Sequence, residues 1–449
     1  MTLHVRFAPA RVVCLLRRRK GTKMDQELTR VASGLPHADG SIDVSPEHTP
    51  YRWFSDPHVY AREQEQIYKG RTWNFLALEA EIPNPGDFKS TFIGETPVVV
   101  TRTKGGEVTA WINRCAHRGA MVCRVPRGNA TKHTCVYHQW SYDSEGSLRG
   151  VPFQRGIKGL AGMPKSFDPK ENGLQVLRVD TYGGLVFATM DEGSPSLIEY
   201  LGPQMIPWLD RLLAGRQLVY LGCARQFSRS NWKLYLENVK DPYHASLLHL
   251  FHTTFNILRA TMDTRAISDE RHGLHSIVTT TRKAEEGDAS AYTAEKLRTY
   301  NSAMTLRDPE VLRMRQEFDE PITNHIQTIF PSLVLQQIHN TLACRQLLPK
   351  GPDSFELIFH YFGYADDDEE LRKMRVLQAN LVGPSGFISM EDTEATELVQ
   401  RAVTATPQAR SSILMGLDSS AEESCRSSVS EGLIRDFWTG YRELMWPAK

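Results

Sequence analysis

The sequence predicts an α+β protein in two parts. A small all-β region covers about residues 73–170, and a larger region, 171–449, combines helices with an antiparallel sheet. Three observations predict this. Short β-rich runs punctuated by glycine dominate residues 73 to 143. Beyond them, runs of helical pattern and runs of strand pattern follow one another without a βαβ alternation. The length, 449 residues, allows two or three domains at about 150 residues each. Hydrophobic residues at 41% and charged residues at 24% are ordinary for a globular chain, which excludes a disordered or collagen-like protein.

The elements can be justified in order. Residues 1–23 carry seven basic side chains and no acid, and the remaining chain holds 46 basic against 53 acidic. The apolar stretch Val12 to Leu16 is too short for a secretory signal, and its arginines follow it. MDQELTRVASG, from Met24, reads as an ordinary cytosolic start, so 1–23 is read as an upstream extension and 1–50 as an N-terminal arm. Residues 51–72 should hold a helix packed on the larger region, with Asp56 as cap, Pro57 in the first turn and Gly70 past the end. PVVVTRTKGGEVTAWINR is a hairpin around Gly105-Gly106, and GGLVFATM (183–190) is a buried strand closing the β region. NWKLYLENVK (231–240) and HASLLHLFHTTF (244–255) read as helices. Residues 328–349 and 354–365 read as antiparallel strands, and 366–382 and 391–403 as helices.

No run approaches the roughly 20 apolar residues of a membrane span, and the body carries no basic stripe, so neither membrane nor nucleic acid is an expected partner. Seven scattered cysteines argue against a disulfide framework and for a reducing, cytoplasmic setting.

Two constellations carry chemistry. Cys115-x-His117 and Cys135-x2-His138 place two thiolates and two imidazoles on two loops of the β region. A Rieske [2Fe–2S] centre needs one Cys and one His from each of two loops. A Cys2His2 zinc site is the competing reading, although zinc knuckles favour C-x2-C or C-x4-C spacing. Downstream, Asp241-x2-His244-x4-His249 offers two histidines and a carboxylate, the ligand types of a non-haem Fe(II) facial triad. Five residues put the two imidazoles about 140° apart on an ideal helix, so the helix must be irregular, and Pro242 supplies a reason. By spacing alone His252 competes as a ligand.

These segments resemble the Rieske-type aromatic-ring-hydroxylating oxygenases. CAHRGA and CVYHQWSYD are similar to the two cluster-binding loops, Tyr137 standing where respiratory Rieske proteins have a cysteine. NVKDPYHASLLHLFH is similar to the catalytic motif, and GPSGFISMEDTEATELVQRA to the segment that supplies a third ligand. The resemblance implies a Rieske domain over 73–170 and a helix-grip-like catalytic domain over 171–449. It implies a [2Fe–2S] cluster on Cys115, His117, Cys135 and His138, and mononuclear Fe(II) on His244, His249 and Asp392. Glu391 and Glu394 are neighbouring alternatives to Asp392, each read as a solvated helix-start acid. Asp241 becomes the bridge for electron transfer between subunits, and His252 a supporting or structural residue.

Within the family, phrases such as LQQIHNTLACRQLLPKGPD are most similar to the subgroup acting on aromatic carboxylates. That subgroup comprises the anthranilate 1,2-dioxygenase large subunits, then salicylate hydroxylases and terephthalate dioxygenases. The resemblance implies an aromatic acid and O2 as substrates and a ferredoxin and reductase as electron donors. It also implies a small β subunit in a mixed hexamer, or a homotrimer. Arg345 and Arg401 are candidate carboxylate partners and Ile388 a candidate pocket-shaping residue. A non-catalytic iron–sulfur carrier is the remote alternative, but it leaves the second constellation idle.

Overall fold

In the computed structural model, which describes residues 45–282 and 289–447, the first helix begins as its punctuation requires. Residues 1–23, Met24 and most of the N-terminal arm lie outside the described residues. The Asp56 carboxylate accepts from the His58 backbone N–H at 2.8 Å, and Pro57 opens the helix Pro57–Glu63 (α1). A π turn, Gln64–Tyr68, continues it towards Gly70.

The small β part follows. Its strands are Asn74–Leu78 (β1), Asp87–Ile93 (β2), Thr96–Arg102 (β3), Val108–Ile112 (β4), Arg127–Asn129 (β5), His133–Thr134 (β6), Ser141–Tyr142 (β7), Leu148–Gly150 (β8), Arg178–Tyr182 (β9) and Leu185–Thr189 (β10). They form sheets ordered β4-β3-β2-β5, β6-β7-β8 and β1-β10-β9. The β3–β4 hairpin turns at Gly105-Gly106, where Gly106 takes a φ of 91° that few other residues tolerate. β1 pairs antiparallel with β10, so residues 185–189 return to the start of the β region.

The larger part is built on one seven-stranded antiparallel sheet. Its strands are Leu218–Ser228 (β11), Asp263–Ser268 (β12), Ser276–Thr281 (β13), Ile322–Ile329 (β14), Leu333–Ile338 (β15), Thr341–Gly351 (β16) and Ser354–Tyr364 (β17). Their order is β11-β17-β16-β15-β14-β13-β12. The run 328–349 is therefore the end of one strand, a whole second strand and most of a third. The chain reverses at Phe330–Ser332 and again at His339-Asn340, where His339 has a φ of 51°.

β15 is buried along its whole length, so both sheet faces are covered. The period-two alternation assigns the faces. Val334, Leu347 and Phe359 meet the helical layer, while Leu335, Leu342 and Phe362 meet Phe75 and Phe187 of β1 and β10.

The helical layer comprises Trp232–Lys240 (α2), Pro242–Leu248 (α3), Leu250–Thr254 (α4), Glu369–Val382 (α5), Phe387–Ala405 (α6) and Gly432–Met445 (α7). Asn231 caps α2 and Asp368 caps α5 through their side chains. α1 docks on α2 and α7 through a buried polar knot. The Glu63 carboxylate accepts from Lys233 Nζ, Trp232 Nε1 and Tyr441 Oη at 2.5 to 2.8 Å.

Candidate metal centres and substrate cavity

The two Cys/His loops are built alike. The Cys115 N–H donates to the Ala120 carbonyl, and the Gly119 N–H to the Cys115 carbonyl. One loop on, the Cys135 N–H donates to Trp140 and the Gln139 N–H to Cys135. Gly119 and Gln139 both take positive φ, 77° and 60°, at the matching position. Each loop thereby buries its cysteine and lifts its histidine outward. Cys115 and Cys135 are 3% and 1% exposed. The His117 and His138 rings stand 4.5 Å apart at the rim, with His117 stacked on Trp140. The Tyr142 hydroxyl lies 3.2 Å from Cys115 Sγ, within reach to donate to a thiolate.

In the larger part, three elements converge. His244 lies on α3 and Asp392 on α6, and His249 is the non-helical joint between α3 and α4, with a ψ of 89°. The irregularity expected at Pro242 thus falls at His249 itself. Pro242 instead opens α3, and Asp241 caps that helix by accepting from the Tyr243 N–H at 2.8 Å. Breaking the helix at His249 turns its ring back towards that of His244, at 5.4 Å between centroids.

Each imidazole presents Nε2 to the same oxygen. Asp392 Oδ1 is 3.4 Å from His244 Nε2 and 3.3 Å from His249 Nε2. The Nδ1 atoms are held from behind, His244 by the Asp241 carbonyl at 2.7 Å and His249 by the Glu391 carboxylate at 2.9 Å. Asn238 Nδ2 also donates to Asp392 Oδ1, at 3.0 Å.

Burial disfavours a charged His244, but hydrogen bonds and charge from Asp241 and Asp392 outweigh it and push its pKa up to about 10. Burial raises the Asp392 pKa, but the neighbouring histidines and Asn238 outweigh it and hold the carboxyl well below the usual range. Both shifts have one cause, the close approach of imidazoles and carboxylates. His252 lies beside His249, 5.2 Å between rings, with both ring nitrogens buried and unpartnered. Burial keeps it neutral.

These residues border a cavity of about 80 Å³, walled mainly by Val239, Leu258, Val278, Ile326, Ile338 and Ile388. Arg345, from β16, also lines it and is 6% exposed. Its Nη1 donates to the Tyr235 hydroxyl at 3.0 Å and its Nε to Gln336 Oε1 at 2.5 Å, so its partners are neutral. Among the described residues no carboxylate lies within ion-pair distance of it. Arg401 is a correction. It is exposed and lines a shallow surface groove with Glu394 and Glu397, away from the cavity. Nine residues along α6 is about 900°, which puts it on the opposite face from Asp392.

Glu391 differs from its sequence reading as a solvated acid, because it orients His249. Tyr235 and Gln336 have no sequence signal that marks them. The single hint for Asn238 is its place one helical turn before Asp241.

Residues 72–163 match the Rieske [2Fe-2S] domain family, and residues 210–446 match the ring hydroxylating alpha subunit (catalytic domain) family. The chain belongs to the ring-hydroxylating oxygenase alpha-subunit family.

It is 60% identical to the anthranilate 1,2-dioxygenase large subunit of Burkholderia cepacia over 92% of this chain and 95% of that one. It is 44% identical to the terephthalate 1,2-dioxygenase terminal oxygenase component subunit alpha 2 of Comamonas sp, over 88% and 95%. Among solved structures, naphthalene 1,2-dioxygenase from Rhodococcus sp. bound to indole shares the fold. Its TM-score is 0.73 at 24% identity, covering 95% of this chain and 99% of that one.

As a ring-hydroxylating alpha subunit, the chain is the large subunit of a multi-component dioxygenase, and this family uses a Rieske [2Fe–2S] cluster and a mononuclear iron. The residues present fit both. Among the described residues, His244, His249 and Asp392 are the set whose donor atoms all lie within 4.8 Å of one another. The Cys/His quartet offers two buried thiols and two rim imidazoles 4.5 Å apart, one of each from each loop, the donor set a [2Fe–2S] centre of this kind needs. No helix among the described residues is long and apolar enough to cross a membrane.

Proposed function

We propose that this large subunit takes anthranilate, with salicylate- and terephthalate-type acids as the second reading. Arg345 carries the substrate class. It is a buried cation on the wall of an apolar cavity, held by neutral partners and beside the His244, His249 and Asp392 set. A buried charge without a counter-charge is unfavourable by several kcal/mol. A benzoate-type carboxylate supplies the anion, and a guanidinium fork matches it bidentately. At about 10–15 Å³ per water on the same measure, the cavity's 80 Å³ suits a molecule of one ring. The relative at 60% identity, named for anthranilate, favours that acid over the others.

In this reading Cys115 and Cys135 hold one iron of the cluster, and His117 and His138 the other. His244, His249 and Asp392 hold the mononuclear iron and leave positions open. When bound, the cluster supplies a stored electron and the mononuclear iron supplies the place where O2 meets the ring. The chain's own groups do the positioning. Glu391 and the Asp241 carbonyl fix the Nδ1 atoms, so that both Nε2 atoms face the ligand position. Arg345 anchors the carboxylate, Ile388 limits the pocket, and the apolar walls exclude water.

Anthranilate, O2, two electrons and three protons then balance catechol, CO2 and ammonia. The sequence holds no nucleotide-binding glycine fingerprint, so a ferredoxin and reductase supply the electrons. The Asp241 side chain, 17% exposed and 3.5 Å from His244 Nδ1, is reachable from outside the chain. The family resemblance makes it the bridge that receives electrons from His138 of a neighbouring copy, in a ring with or without small β subunits, and its exposure supports that role. A cytoplasmic location suits this supply.

Turnover with ferredoxin and reductase tests the reading, with anthranilate, salicylate, terephthalate and benzoate offered separately. Anthranilate should give equal catechol and ammonia, abolished in His244→Ala. Product from salicylate or terephthalate alone overturns the anthranilate assignment. Failure with every acid, at full cluster absorbance, favours the electron-carrier alternative.

A further inference from the structure

We infer that Asn324 is the specificity residue that reads the amino group of an ortho-aminobenzoate. This rests on the anthranilate reading above and goes beyond it to the group that separates this acid from its relatives. Asn324 is 3% exposed and lines the same cavity as Arg345. Its amide nitrogen donates to the Ile257 carbonyl at 3.2 Å and to Thr280 Oγ1 at 2.7 Å. A carbonyl can only accept, so the contact with Ile257 fixes which end of the amide is nitrogen. Both donors are then used. Oδ1 is left buried with no hydrogen-bond partner. A buried acceptor left unpaired beside a substrate cavity is costly until a donor reaches it.

Asn238, Asp241 and Asp392 belong to the metal centre, and Thr280 Oγ1 already accepts from Asn324. Thr264 and Ser428 donate to backbone carbonyls, and Arg345 can only donate. His252 keeps two free nitrogens, but a neutral imidazole offers one donor and one acceptor and does not tell an amine from a hydroxyl. The amide oxygen does. An ortho-amino group carries two N–H bonds; one is taken by the substrate's own carboxylate, and the other points away from it. An ortho-hydroxyl has one O–H, which the carboxylate takes. Benzoate has neither. An acceptor fixed by Ile257 and Thr280 therefore rewards the amine alone.

Calorimetric binding to the iron-loaded oxygenase, using anthranilate, salicylate and benzoate, tests this. Wild type binding anthranilate no better than the other two would mean that the substrate reading itself has failed. Given that preference, Asn324→Leu should weaken anthranilate at least about ten-fold, the loss of one hydrogen bond, and change benzoate less than about two-fold. Equal weakening of all three acids, or unchanged anthranilate affinity, overturns the role of Asn324. If Asn324→Leu does not fold, as judged by circular dichroism, Asn324→Ala is measured against the same three acids. Weakening confined to anthranilate supports the inference, and equal weakening of all three or unchanged anthranilate affinity overturns it.

Discussion

Each histidine of the triad has one ring nitrogen tied down behind it, and this turns two flexible side chains into a preset pair of ligands. For His249 the tie is Glu391, on the same helix as Asp392, so α6 supplies both a carboxylate facing His249 Nε2 and one holding Nδ1. A carboxylate behind a ligating histidine fixes its orientation and raises its basicity, and losing it costs about 10–100-fold in metal affinity. Glu391→Ala is therefore expected to be purified with much less mononuclear iron, its cluster absorbance unchanged. Glu394→Ala, on the outer groove, should keep its iron, and equal iron in both variants would remove this role from Glu391. The residues that chemistry names by spacing, Cys115-x-His117, Cys135-x2-His138 and Asp241-x2-His244-x4-His249, were legible because each motif is local. Glu391 and Asn324 were not, because their roles depend on partners 142 and 44 residues away in the chain. Arg401 misled because it is near Asp392 in sequence, and the helical period carries it to the other face.

At the scale of elements, the site depends on where helices stop. α3 gives way to α4 at His249, and α5 gives way to α6 through Gly383-Pro384-Ser385-Gly386. This second junction is very tight: a Cβ at Gly386 would stand 2.0 Å from the Leu381 carbonyl oxygen and 2.7 Å from that of Asn380. Neither contact can be relieved by a side-chain rotation, because both atoms are backbone. Gly386→Ala must push the two helices apart, at a cost of about 1–3 kcal/mol, and it displaces the helix that carries Asp392. The expected result is a lower unfolding midpoint with reduced iron content and an intact cluster spectrum. A variant as stable and as iron-rich as wild type would show that the junction yields freely. Helices with clear caps, such as α1 after Asp56 and α5 after Asp368, could be read from the sequence. The strands β11, β12 and β13 could not. β11 alternates weakly and is largely unburied, and β12 and β13 are short, with polar Ser and Thr positions that only sheet pairing accounts for.

The whole molecule brings its two parts together through buried charge as well as apolar surface. Glu81, beyond β1, pairs with Lys89 of β2 at 2.8 Å and with His360 of β17 at 3.2 Å. This is a polar contact between the small part and the large sheet. His360 is one of four buried histidines in or beside that sheet whose burial holds them neutral. His360, His275 and His339 are lowered to about 4 and His325 to about 3, against 6.5 when unburied. Below pH 6.5 the unfolded chain binds protons at these positions and the folded one does not, so stability falls as pH falls from 6.5 towards 4. One unit below 6.5, each such group contributes on the order of 1 kcal/mol of destabilisation. Urea midpoints followed by tryptophan fluorescence should therefore be lower at pH 5.5 than at pH 7.5. His325 is the cleanest probe, with Arg211 as its charged neighbour and no carboxylate among the groups that shift it. His325→Gln cannot take up the proton in either state, so it should shrink the difference between the two pH values by about one group's share, whatever its stability at pH 7.5. The same pH dependence in variant and wild type would mean that His325 is already protonated in the folded sheet at pH 5.5, against the burial that surrounds it.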